Sequence, residues 1–180
     1  MMQLISRFYY KLIGWKVESG LPPNVRRCVM IAAPHTSNYD YPITMAAFYM
    51  LGIKVRFLAK KELFSFPLGL IMRATGGLPV NRSKKNNLVE QMAELLNSES
   101  DMVMLIPPEG TRSKVESWKS GFYHVAVQAK VPIALGYLDY KTRRAGVGPI
   151  IEPSGNLEAD MQTIKAFYAQ ITPKYPSLYA

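Results

Sequence analysis

Val29-Met30-Ile31-Ala32-Ala33-Pro34-His35-Thr36-Ser37-Asn38-Tyr39-Asp40 and Met102-Val103-Met104-Leu105-Ile106-Pro107-Pro108-Glu109-Gly110-Thr111-Arg112-Ser113 share one plan: an apolar run, then proline, then a cluster of chemically active side chains. Short apolar runs bounded by turn residues read as buried strands, and proline stops a strand from continuing its hydrogen-bond ladder. The two stretches therefore predict strands that end at the rim of one sheet, with a base, a carboxylate partner and an anion clamp just beyond them.

Further short apolar runs lie at 55–59, 78–81, 132–138 and 147–151, and helical patterns lie between them at 41–51, 87–97 and 121–129, with a closing one at 157–171. Strands alternating with helices predict a single α/β domain with a central, mostly parallel sheet flanked by helices. Neither a repeat nor a composition break divides the chain. One domain over 1–180 is expected, with the motif-bearing core at 29–138.

The 180 residues are 48% hydrophobic and 19% charged, which excludes a disordered tail. Cys28 is the only cysteine, so no intrachain disulfide can form, and its apolar setting suits a packed, inert thiol in a reducing compartment. Two histidines and one cysteine at these spacings do not build the usual metal-ligand set. The 22 Lys and Arg against 13 Asp and Glu give +9, which implies an acidic partner. The basic residues are scattered in small groups without a zinc-finger, basic-zipper or RNA-binding signature, which places phosphate-bearing lipid or cofactor ahead of nucleic acid.

Within residues 1–20, Leu4, Ile5, Phe8, Leu12 and Ile13 recur at helical spacing beside Arg7, Lys11 and Lys16 and the aromatics Tyr9, Tyr10 and Trp15. This predicts an amphipathic helix, for which two readings stand: its stripe lies on a membrane surface, or it packs on the domain's own core. Charges through its middle argue against a cleaved signal peptide, and no segment reaches the ~18 consecutive apolar residues that span a bilayer.

An imidazole takes a proton from an alcohol or water best when its second nitrogen donates to a fixed carboxylate. His35 and Asp40 supply that pair. At ~100° per residue a regular helix would point them apart, so the pairing requires a turn, for which Pro34, Thr36, Ser37 and Asn38 are suited through capping of free amides. Ser37 raises the alternative of a serine hydrolase, but the chain has no Gly-x-Ser-x-Gly elbow and Ser37 reads as a cap. Gly110 allows a close backbone approach, Thr111 can donate, and Arg112 can grip phosphate in a bidentate fork. Glu109, which cannot bind phosphate directly, reads as orienting Arg112 or a substrate hydroxyl. Arg82 after the third strand pattern and Lys119 before Gly121 are further candidate cations. His124 and Trp118 read as structural.

His35-x4-Asp40, Gly77 to Arg82, Pro108-Glu109-Gly110-Thr111-Arg112-Ser113 and Val131-Pro132-Ile133, in this order, resemble the four motif blocks of the 1-acylglycerol-3-phosphate acyltransferase family. The chain departs from the usual pattern at Pro107, where an aromatic is common, and at Ala134-Leu135-Gly136, where a second proline is common. The resemblance implies acyl transfer from acyl-CoA or acyl carrier protein, as co-substrate and with no other cofactor, to the hydroxyl of a lysophospholipid or glycerol-phosphate-type lipid acceptor. It implies His35 as general base and Asp40 as its orienter, with Glu109, Gly110, Thr111 and Arg112 holding the acceptor's phosphate and Arg82 assisting. It further implies a peripheral protein at the cytoplasmic face of an anionic membrane. Another lyso-lipid acceptor, such as an amino-acid-containing one, suits the same base. Hydrolysis of a thioester or ester, and a basic membrane-binding module without catalysis, are the competing readings.

Overall fold

In the computed structural model, which describes residues 1–80, 88–111 and 113–179, the apolar runs become strands β1 (Lys16–Val17), β2 (Arg27–Ala32), β3 (Val55–Lys60), β4 (Gly77–Val80), β5 (Met102–Ile106), β6 (Ile133–Asp139) and β7 (Arg144–Ile151). The helices are α1 (Met2–Ile13), α2 (Asp40–Leu51), α3 (Leu68–Ala74), α4 (Leu88–Ser98), α5 (Gly121–Ala129) and α6 (Leu157–Tyr168). The strands form one sheet in the order β1-β7-β6-β2-β5-β3-β4, in which only the β6–β7 pair is antiparallel. That pair is joined by residues 140–143 alone, too short for the crossover that parallel neighbours need.

β2 is the central strand, buried on both faces, and its alternation divides the core. Val29 and Ile31 face Leu96 of α4, Phe122 and Val125 of α5, and Ile164 and Tyr168 of α6. Cys28 and Met30 face Met45 and Phe48 of α2. Burial pushes the Cys28 thiol up to about 12, which keeps it protonated and inert. α2 is apolar nearly all round because it is covered twice, by the sheet and by α1, whose Tyr10, with Trp15 just beyond the helix, packs against Ile43, Ala46 and Ala47.

α1 packs on α2 through one face and turns most of its apolar stripe outward. Its inward contacts are Ser6 and Tyr10, whose hydroxyl donates to the Ile43 carbonyl at 2.8 Å. The apolar stripe faces away from the domain, with Leu4 71%, Phe8 71% and Leu12 73% exposed. Among the described residues no helix is long and apolar enough to cross a membrane.

Two elements were not expected from the sequence. β1 is two residues held at the sheet edge by main-chain pairing with β7, and α3 follows Pro67 with no amphipathic period to announce it. β2, β3, β4, β5 and β6 run the same way and end at one rim, where ligands of open α/β sheets bind. The loops that follow β2, β5 and β6 there carry the residues described next.

Candidate active site

The chain leaves β2 at Ala32, turns through residues 33–39, and enters α2 at Asp40. The turn brings His35 Nδ1 to 3.0 Å from Asp40 Oδ2. The same oxygen accepts the Thr36 and Ser37 amides at 3.1 and 3.0 Å, so the carboxylate is nailed to the loop it orients. An ionised carboxylate accepts only, which assigns the proton to Nδ1 and leaves Nε2 as the basic nitrogen. Ser37 does not cap α2. Its hydroxyl accepts the Tyr39 amide at 3.1 Å inside the turn, while the Thr36 hydroxyl accepts the Tyr175 amide at 3.2 Å. No side chain caps α2; its Asp40 and Tyr41 amides donate instead to the Ser37 and Asn38 carbonyls, each at 3.3 Å.

Glu109 lies after β5 with its side chain buried, 4% exposed. Its Oε1 accepts the His35 backbone amide at 3.1 Å, and burial raises its carboxyl above the usual range. The buried carboxyl thus faces the base loop and holds it through the His35 amide. The adjoining Gly110 has φ 67°, and Lys119 lies across it so closely that a Cβ there would come within 3.0 Å of Nζ. The Lys119 amide also donates to the Pro108 carbonyl at 2.9 Å, tying this cation to the loop. Thr111 is exposed, its hydroxyl accepting the Ser113 amide at 3.3 Å. Arg112 and Arg82 lie outside the described residues.

Sequence reasoning missed Tyr140, at the end of β6. Its hydroxyl donates to Asp40 Oδ1 at 2.6 Å, while its ring meets Trp15 edge-on at 4.9 Å. Burial, then the Asp40 carboxylate, push its phenol well above the ordinary value, so it donates at any working pH. Lys174, from the C-terminal segment, sets its ammonium 3.4 Å over the Tyr39 ring beside the same turn. No local signal marks either residue. Trp118 packs against Tyr168 as a core residue, whereas His124, expected to be structural, is exposed on α5. Beneath His35 a narrow cavity of about 40 Å³ runs between α2 and strands β2, β6 and β7, walled chiefly by apolar groups such as Ala33, Ala47, Phe48, Leu138 and Val147.

A family model described as Acyltransferase matches residues 17–134, which include His35, Asp40 and Glu109. The chain belongs to this family. The 1-acyl-sn-glycerol-3-phosphate acyltransferase of Haemophilus influenzae is 31% identical over 72% of this chain and 58% of its own length. The 1-acyl-sn-glycerol-3-phosphate acyltransferase beta of Homo sapiens is 33% identical over 68% of this chain and 50% of its own. The chain thus spans about half the length of these curated relatives. The crystal structure of the 1-acyl-sn-glycerophosphate acyltransferase PlsC of Thermotoga maritima superposes with a TM-score of 0.61 over 96% of this chain and 80% of that one, at 18% identity; the likeness is one of fold.

Within this acyltransferase fold, two tethers hold the His35–Asp40 pair from outside the motif, and each yields a prediction. Removing the Tyr140 hydroxyl deletes one hydrogen bond to a buried charge. Tyr140→Phe is therefore expected to lower kcat about tenfold with KM unchanged, because such a bond contributes about 1.5 kcal/mol or more; steady-state kinetics read the split. For Glu109, a raised carboxyl stabilises the fold fully below the ordinary value of 4.5 and loses that contribution as pH rises through the raised folded value. Glu109→Gln keeps an acceptor for the His35 amide and does not titrate. The stability of the wild type minus that of the variant should hence fall as pH rises through this window, as denaturant midpoints at a series of pH values would record.

Proposed function

We propose that this chain transfers a fatty acyl group from an acyl thioester, on coenzyme A or acyl carrier protein, to the hydroxyl of a lysophospholipid or glycerol-phosphate-type acceptor. The observation that carries the reading is the His35–Asp40 pair at the sheet rim, held by Glu109 from β5 and Tyr140 from β6, in a chain of acyltransferase descent.

The chemistry follows from the free nitrogen. His35 Nε2 takes the proton of the acceptor hydroxyl as its oxygen attacks the thioester carbonyl, and Asp40 stabilises the imidazolium that forms. The tetrahedral intermediate collapses by breaking the carbon–sulfur bond, and the imidazolium returns its proton to the departing thiolate. No protein nucleophile is required, which agrees with a Ser37 hydroxyl engaged in the turn. The acceptor's phosphate is assigned to Gly110, Thr111 and Arg112, with Arg82 and Lys119 as supporting cations; Lys119 already lies over Gly110. The cavity below His35 has room for roughly three water-sized groups, enough for the first carbons of an acyl chain. The outward stripe of α1, with Arg7 and Lys11 beside it, suits a peripheral helix lying on an anionic membrane at the cytoplasmic face.

The test is transfer from labelled acyl-CoA or acyl-ACP to a panel of lysolipids, amino-acid-containing ones included, in detergent. A labelled diacyl product identifies reaction and acceptor together. Thiol release that needs no acceptor would replace transfer by hydrolysis, and the absence of both would leave a membrane-binding module.

A further inference from the structure

Between β3 and β4 the chain forms a helical elbow, a 3₁₀ turn at Lys61–Phe64 followed by α3. Its apolar side chains point away from the domain: Phe66 is 86% exposed, Leu70 64% and Ile71 55%, with Leu63 and Leu68 also exposed. So many large apolar groups clustered in one exposed segment mark an interaction surface. The segment is firmly built. The Gly69 amide donates to Ser65 at 2.7 Å, a Cβ on Gly69 would fall 2.0 Å from the Phe64 carbonyl oxygen, and Met72 is buried.

Three observations indicate what covers this surface. Lys60, Lys61 and Arg73 are exposed around it, Arg73 lying 5.4 Å over the Phe64 ring, against Glu62 as the one acid in residues 60–74. A second copy of the chain would bring the same excess of positive charge to a two-fold interface and be repelled. The elbow is also fastened to the same helix as α1. The Tyr41 and Thr75 hydroxyls lie 2.5 Å apart, while α1 bonds through Tyr10 to the carbonyl of Ile43, so both apolar surfaces hang from the first turn of the helix that Asp40 begins.

We propose that residues 60–74 form a second membrane foot: Phe66, Leu70 and Ile71 enter the headgroup–acyl boundary of an anionic bilayer while Lys60, Lys61 and Arg73 meet lipid phosphates. The inference rests on the membrane-surface reading of α1 given above, and adds that the protein stands on two supports, both fastened to the first turn of α2.

Phe66→Cys and Phe8→Cys, each carrying an environment-sensitive fluorophore, test this in the full chain, since the native Cys28 is fully buried and stays unlabelled. On vesicles of phosphatidylcholine and phosphatidylglycerol both labels should shift to the blue and be quenched by brominated lipid. A silent label at 66 with a responsive one at 8 overturns the second foot and leaves α1 on the membrane; silence at both overturns the membrane-surface reading itself. The double variant Phe66→Asp, Leu70→Asp should bind these vesicles at least about tenfold more weakly, with unchanged turnover of a water-soluble short-chain acceptor. A Phe66-dependent dimer without vesicles, or protection of the label at 66 by soluble acyl carrier protein alone, assigns the face to a protein and overturns the proposal.

Discussion

His35→Ala is expected to lose at least ~10²-fold in acyl transfer while remaining folded, since the variant lacks the imidazole proposed above to take the acceptor's proton. The fold should tolerate it. The bond from Glu109 reaches the residue-35 backbone amide, which alanine keeps, and Asp40 retains the Thr36 and Ser37 amides and the Tyr140 hydroxyl. The imidazole itself is partly exposed, so its loss leaves no sealed cavity. Product formation per milligram, beside circular dichroism and denaturant midpoints, separates the two effects. Full activity in a folded variant removes His35 from the mechanism.

Asp40→Asn is the second large effect, and its value lies in the contrast with Asp40→Ala. An amide oxygen in place of Oδ2 still accepts the three donors gathered there, and the Tyr140 hydroxyl can rotate to accept from the new NH₂. The turn therefore survives, but the imidazolium formed during attack faces a neutral group. A fall in kcat of about 10²-fold or more is expected, with KM and stability close to wild type. Asp40→Ala instead strands the amides of two buried residues, Thr36 and Ser37, at about 1–3 kcal/mol each. It should unfold at markedly lower denaturant concentration. Equal stability losses in both variants would show that the carboxylate's charge, and not its acceptor geometry, holds the turn.

What could be read without coordinates was local. The β2 run, the proline that ends it and the five-residue step from His35 to Asp40 lie within one strand–turn–helix unit, and period, turn chemistry and capping are nearest-neighbour properties. β5 falls at 102–106 as expected, and β2, β5 and β6 were legible because strands covered on both faces read as continuous apolar runs. α3 was not legible: its seven residues are too few for a period to show, and a glycine sits inside it.

The sequence alone determined the chemical inventory and the class of fold: a base and its carboxylate in one turn, cations nearby, and an alternating α/β order. Tertiary structure decided which distant residues serve that turn. Glu109 lies 74 positions from His35 and Tyr140 100 positions from Asp40, and they arrive only because β5 and β6 flank β2 in the sheet. It also turned Leu4, Ile5, Phe8 and Leu12 of the α1 stripe outward, since packing toward α2 is made by Ser6, Tyr10 and partly buried Tyr9 and Ile13. Periodicity says that a helix has an apolar face; only the competition for space against the rest of the core says which way that face is turned.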